Sequence, residues 1–235
     1  MIKDLSVIGF IPARGGSKTL PNKNILPLNE KPLIAYTIEA ARSANICDEI
    51  LVSTDSRQIR DVACNGGASV PFLRPEDISR DSSQMIEVVA HTLEWLSNQN
   101  RQFDIFLYLQ PTSPLRSAKD ILKAFDVFFS KEADHVISVR ECPFFMGRVN
   151  TLPSDHNMKT FINRSTEYSN RQKGQNYYEV NGAIIISKLN VLKMTKSWYN
   201  ERSFAYVMDR RNGLDIDDRF DFELAEFLLK KSNES

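Results

Sequence analysis

Leu5-Ser-Val-Ile-Gly-Phe-Ile11 runs directly into Pro12-Ala-Arg-Gly-Gly-Ser-Lys-Thr-Leu-Pro-Asn-Lys-Asn24. The first segment is a short apolar run of the kind that forms a buried strand. The second gathers Arg14, Lys18, Lys23 and the adjacent Gly15 and Gly16 into one loop. Adjacent glycines let a backbone turn tightly and approach a ligand. Successive exposed N–H groups in such a turn form a concavity for anions. With three cations on the same loop, the expected guest is a polyphosphate. The spacing fits neither the G-x-x-x-x-G-K-[ST] nor the G-x-G-x-x-G pattern.

Working outward, strand-like and helix-like segments alternate. A helix is expected from about Pro32, with Ile34, Ile38 and Ala41 on one face. Then come a strand over Glu49–Ser53, a helix over Arg57–Cys64 stopped by Asn65-Gly-Gly67, and a short strand over Ser69–Leu73. A helix over Gln84–Leu96 precedes the near-continuous apolar strand Asp104–Leu109, a pattern suited to a parallel sheet covered on both faces. Ser117 should cap a helix that turns Ile121, Leu122, Phe125 and Phe129 inward, followed by a strand over His135–Val139. Sheet pattern resumes at Ala183–Ile186 and Phe204–Val207. The last helix starts near Asp218, with Leu224, Phe227 and Leu228 as its buried stripe. The expected fold is α/β, a doubly wound, mostly parallel sheet in one domain over 1–235. Residues 141–178 break the pattern and read as an inserted arm or lid. In such sheets ligands sit beyond the carboxyl ends of the strands. That places the first loop, Thr54-Asp55 and Gln110-Pro-Thr-Ser-Pro-Leu-Arg116 on one rim.

Composition narrows the function. The chain has 235 residues, and its 30 basic and 30 acidic side chains give no net charge. There is therefore no global basic field for nucleic acid or a membrane surface. The three cysteines, Cys47, Cys64 and Cys142, form no pair with metal or disulfide spacing, and the three histidines are dispersed. No apolar run approaches a membrane span, and the N-terminus does not resemble a signal peptide. A reducing cytoplasm is the expected location.

Asp215-Ile-Asp217 carries the second chemical signal. In an extended stretch, residues two apart project from one face, so both carboxylates could share a divalent cation. Mg²⁺ prefers one or two carboxylates, with phosphate oxygens and waters completing its shell. Capping of the last helix is the plainer role for Asp217 or Asp218. Phosphate-binding cations together with a paired-acid metal site describe a nucleotidyl transferase.

The chain resembles the acylneuraminate cytidylyltransferases, or CMP-nonulosonate synthetases. The likeness rests on Ile11-Pro-Ala-Arg-Gly-Gly-Ser-Lys18, Lys23-Asn24, Lys31-Pro-Leu-Ile34, Val52-Ser-Thr-Asp55, Phe72-Leu-Arg-Pro75, Gln110-Pro-Thr-Ser-Pro-Leu-Arg116, Asn181-Gly-Ala183 and Leu214-Asp-Ile-Asp217. It runs from residue 8 to about 228. The resemblance implies a Rossmann-like nucleotidyltransferase fold and a reaction of CTP with a nine-carbon 2-keto sugar acid to give CMP-sugar and pyrophosphate. The C2 hydroxyl would attack the α-phosphorus in line. It implies catalytic roles for Arg14, Lys18, Lys23, Asp215 and Asp217, with Mg²⁺ on Asp215 and Asp217. CTP contacts would come from Arg14, Gly15, Gly16, Ser17, Lys18, Lys23, Asn24, Arg74, Asp81 and Ser82, with Arg74 reading the cytosine. Sugar contacts would come from Gln110, Arg148, Arg171 and Asn181, with Arg171 taking the carboxylate. Residues 141–178 resemble a dimerisation arm, which implies a homodimer.

Departures gather on the acceptor side. Ile185 stands where many relatives have a tyrosine, Arg148 where some have a lysine, and Arg171-Gln-Lys-Gly-Gln175 where many read Arg-Gln-x-Leu-Pro. Asn22 replaces a basic residue in the first loop. N-acetylneuraminic, legionaminic and related acids all remain candidate acceptors. Val180-Asn181-Gly182 departs from the usual wording of the pseudaminic branch. Competing readings are a cytidylyltransferase for a Kdo-type or other sugar acid, a GT-A glycosyltransferase using D-x-D, and a non-catalytic nucleotide-binding assembly subunit.

Overall fold

The structure is a computed structural model that describes residue 2 and residues 4–144, 149–159, 161 and 176–233. The fully buried apolar run Val7–Pro12 forms β1. The chain then crosses the polar loop, a two-residue ribbon of β2 (Pro27–Leu28) and β3 (Lys31–Pro32), and α1 (Leu33–Ala44). There follow β4 (Glu49–Ser53), α2 (Arg57–Asn65), α3 (Met85–Asn98), β5 (Ile105–Leu109), α4 (Ala118–Ser130) and β6 (His135–Glu141). The long β7 (Tyr178–Lys188), α5 (Leu189–Thr195), β8 (Ser203–Met208) and α6 (Arg219–Asn233) complete the described elements.

Six strands form one sheet in the order β4-β1-β5-β7-β6-β8. β1 pairs in parallel with both β4 and β5, and β6 pairs in parallel with β8. β7 lies antiparallel between β5 and β6. The sheet is thus mostly parallel, as expected, with one reversed strand in its interior. β7 is buried on both sides over Ala183–Ile186, so its sequence carries no polar alternation that would mark its direction.

Helices cover both faces. Ile34, Ile38, Ile59, Phe125 and Phe128 pack on one side with Val7, Ile11, Val52 and Leu107. Val89, Leu93, Leu96, Leu189 and Leu192 pack on the other with Phe10, Phe106, Tyr108 and Ile185. A third cluster joins Leu20, Leu28 and Leu33 to Leu214, Ile216, Phe222 and Ala225. It brings the start and the end of the chain together. At roughly 25 cal/mol per Å² of apolar surface, these buried leucines and phenylalanines are what fix that meeting.

Three local expectations are corrected. Ser69–Leu73 makes only two isolated bridges, Leu51↔Ser69 and Thr54↔Leu73. Pro71 lies between them and has no N–H to donate. On α6 the inward residues are Phe222, Ala225, Leu228 and Leu229, whereas Leu224 and Phe227 are exposed. Both sets fit a 3–4 spacing, and the cluster with Leu20 and Ile216 selects the first. On α4, Phe128 is buried and Leu122 is exposed. Ser117 does cap that helix, accepting from the Asp120 N–H, while Asp120 accepts from the Ser117 N–H.

Much of 141–178 lies outside the described residues, including Arg148 and Arg171, so the expected arm and those two side chains are not placed. Among the described residues, no helix is long and apolar enough to cross a membrane.

Candidate active site

A cleft of about 560 Å³ opens at the carboxyl ends of β1 and β5. Its lining includes Arg14, Ser17, Lys18, Lys23, Asn24 and Arg74, with Asp81, Tyr108, Gln110, Thr112 and Asp217 opposite or beneath. The first loop, the β5 rim and the C-terminal acids therefore meet.

The loop is held from several sides. The Gly15 N–H donates to Asp55 Oδ1 at 2.8 Å. A Cβ on Gly15 would stand 3.0 Å from the Ser56 side chain, so any larger residue there would crowd the neighbouring loop. Neither Gly15 nor Gly16 adopts a positive φ. This corrects the expectation of a free N–H at Gly15, because Asp55 already accepts it. Gly16 is open, with nothing within 4 Å of a built Cβ. Asn24 is buried and its amide donates to the Arg14 carbonyl at 2.9 Å, while its Oδ1 has no partner. Asn24 thus shapes the loop from beneath.

Lys23 Nζ donates to the Ile216 carbonyl at 2.7 Å, and Thr19 Oγ1 donates to the Asp217 carbonyl at 2.6 Å. Ile216 is fully buried between the two acids and its N–H donates to the Thr112 carbonyl. Asp218, not Asp217, caps α6 by accepting from the Asp221 N–H. That leaves the Asp217 carboxylate to face the cleft. Asp215 lies deeper. Its Oδ1 accepts from Thr112 Oγ1 at 2.6 Å and its Oδ2 from Gln110 Nε2 at 2.8 Å. Burial pushes its carboxyl above the usual range, against the pull of Thr112, Gln110 and Lys23. A carboxyl held so would gain from a cation, whose charge favours the ionised form. Among the described residues no group of three or more His, Cys, Asp or Glu forms a metal cage. Asp217 on the cleft wall, with Asp215 behind Gln110 and Thr112, fits Mg²⁺, which takes few protein ligands.

Arg74 is anchored by its N–H to the Thr54 carbonyl at 2.7 Å. Its guanidinium is buried, 3.9 Å from Asp55, with Nε and Nη2 unpartnered. Burial lowers its pKa. Such a group normally waits for a ligand or is costly. Asp81 ion-pairs with both Arg14 and Lys18, the latter at 2.6 Å. Hydrogen bonds from Lys18 and then Arg14 hold its carboxyl below the ordinary range. It acts here as a counter-ion to the loop's cations. Ser82 is exposed and does not line the cleft.

Of the described residues expected to contact the sugar, Gln110 lines the cleft and Asn181 does not. Asn181 is 5% exposed, accepts from Ser138 Oγ at 2.6 Å and donates to the Gly213 carbonyl. In this arrangement its side chain is engaged by β6 and the turn after β8 and does not face the cleft. Beside it, Gly182 has φ +66°, and a Cβ there would overlap Gln110 Oε1. Buried Arg116 donates to the carbonyls of Gln110 and Ala183, 3.0 Å each, tying the β5 rim to β7. Thr112 and Tyr108 were not singled out from sequence; the first hid in a turn motif and the second in an apolar strand.

Comparison with known proteins agrees with this geometry. Residues 8–232 match the family model described as cytidylyltransferase. The chain is 37% identical over 228 residues to the N-acylneuraminate cytidylyltransferase of Escherichia coli O18:K1:H7, covering 97% of this chain but only 53% of that protein. It therefore spans about half the length of that relative. It is 37% identical over 234 residues to the CMP-N,N'-diacetyllegionaminic acid synthase of Legionella pneumophila, covering 98% of this chain and 99% of that protein. Among solved structures, a CMP:2-keto-3-deoxy-manno-octonic acid synthetase complexed with CTP superposes with a TM-score of 0.69 over 97% of this chain and 99% of that one, at 16% identity. By this match across nearly its whole length, the chain belongs to the cytidylyltransferase family.

Proposed function

We propose that the protein activates a nonulosonic acid, N-acetylneuraminic, legionaminic or a related acid, with CTP to give the CMP-sugar and pyrophosphate. The observation that carries this reading is the meeting of Arg14, Lys18 and Lys23 with Asp217 in one cleft. Fixed cations in a partly dehydrated site stabilise the charge that develops on departing pyrophosphate. Exchange of Asp81 for phosphate oxygens would deliver Arg14 and Lys18 to the nucleotide. The unpartnered Arg74 donors supply what a cytosine carbonyl and ring nitrogen accept. Gln110 then faces the acceptor. Asp215 and Asp217 would hold Mg²⁺, which supplies charge screening and acidifies a bound hydroxyl. The relatives' names support the acceptor class.

The protein works as a homodimer in this reading, in the cytoplasm. Val180 and Val207, each about half exposed, flank Val139 across β7, β6 and β8, an apolar strip a second copy would cover. Static light scattering tests it: a monomer with full activity contradicts it.

The function is tested by a matrix of four nucleoside triphosphates against several nonulosonic acids and a Kdo-type acid, with pyrophosphate release followed with and without Mg²⁺. Release with CTP and a nonulosonic acid is expected. Release with a Kdo-type acid alone, or with none, contradicts the proposal.

A further inference from the structure

Tyr108 presents a polar group that the architecture does not use. It is 4% exposed, lines the cleft, and forms no hydrogen bond with any described residue. A tyrosine at the wall of a cleft buries its ring and keeps its hydroxyl for a polar guest. Its ring is fixed by packing, with Trp198 at 5.7 Å and Phe10 at 6.3 Å between ring centroids. Across the sheet it stands directly opposite Ile185, which offers only hydrocarbon. Met85, the cleft residue from the start of α3, is also apolar. The charges that reach the phenol are those of Asp215 and Arg116, and neither side chain hydrogen-bonds it, so the hydroxyl's outlet is the cleft.

The order of strands says which guest would meet it. Asp55 and Arg74 stand beyond β4, the cationic loop follows β1, and Tyr108 lies on β5 two residues before Gln110. Across the rim these are successive positions. If the phosphates take the β1 loop and the nucleoside takes the Arg74 side, the β5 side is left for the acceptor; this step rests on the function proposed above. We infer that Tyr108 is a specificity-determining residue whose hydroxyl donates to an uncharged oxygen of the acceptor. A neutral phenol beside the Asp215 carboxyl suits a hydroxyl or carbonyl oxygen as its guest. The acceptor's carboxylate would seek a cation instead.

The test is Tyr108→Phe, which keeps the ring and its packing. The acceptor is whichever nonulosonic acid the wild-type protein turns over best. The KM for that acceptor rises roughly five- to tenfold, as for a neutral hydrogen bond lost. The KM for CTP and the melting temperature stay within error of wild type. An unchanged or lower acceptor KM, a parallel rise in both KM values, or a loss confined to kcat each overturns the inference. Wild-type protein that releases no pyrophosphate with any nonulosonic acid overturns the proposed function instead, so the two failures are distinct.

Discussion

Lys23 and Ile216, 193 residues apart, are joined by a 2.7 Å hydrogen bond from the Lys23 ammonium to the Ile216 carbonyl. The bond sits between the two acids, so one side chain both closes the fold and places a positive charge beside Asp215 and Asp217. Lys23→Met should lower kcat/KM by roughly a hundredfold or more, the scale of losing one preorganised charge-stabilising group. Stability should fall by only about 1 kcal/mol, the usual worth of one hydrogen bond. Steady-state kinetics and urea unfolding separate the two effects; a large loss of stability with normal kcat/KM would reverse the assignment.

Asp215 gives a prediction whose signs differ for activity and stability. Burial raises its pKa above the ordinary carboxylate value. The fold therefore favours its protonated form, and ionisation opposes folding as pH rises from the ordinary value through the raised one. Asp215→Asn should abolish turnover yet leave a melting temperature at pH 7 no lower than wild type. A destabilised Asn variant counts against this account.

Asp217 does not cap α6, because Asp218 does. Asp217→Ala should thus lose turnover while circular dichroism and unfolding midpoint remain those of wild type. A wild-type rate in this variant rules out the metal role.

Arg74 keeps two buried donors without partners. Arg74→Met should raise the KM for CTP at least about tenfold, since hydrogen bonds from a charged group are worth roughly 1.5–3 kcal/mol. The ion pair of Arg74 with Asp55 is long, at 3.9 Å, so removing the buried guanidinium should not lower the melting temperature. Binding of inorganic pyrophosphate should be unaffected. A fall in pyrophosphate affinity equal to that for CTP would move Arg74 to the phosphates.

Asp81 pairs with the same two cations that a triphosphate would use. Asp81→Asn should tighten pyrophosphate binding several-fold by removing an internal competitor, read by calorimetry on the ligand-free protein. Exposed ion pairs are weak, so no change in folding is expected. Weaker pyrophosphate binding would make Asp81 a support for the cations.

The parts of this site that sequence made legible are those with local physics. Glu49–Ser53 matches the observed strand, and Ser117 caps its helix, because apolar runs and side-chain caps act within a few residues. The cationic loop and the paired acids were visible as charge placed just after a strand and just before a helix. What was hidden depends on distant partners. Thr112 holds Asp215 from 103 residues away, and Tyr108 looked like one more residue of a buried strand until the cleft opened beside it. Asn181 sat in a motif that suggested ligand contact, yet its direction was set by Ser138 on a neighbouring strand. The rotation of α6 likewise depended on Leu20 and Ile216, not on its own spacing.

The most direct measurement is a crystal structure of the protein with CTP and Mg²⁺. The account predicts the triphosphate within hydrogen-bond reach of Lys18 and Lys23, with the metal on Asp215 or Asp217. A triphosphate bound away from that loop, or a metal shared with neither acid, would contradict it.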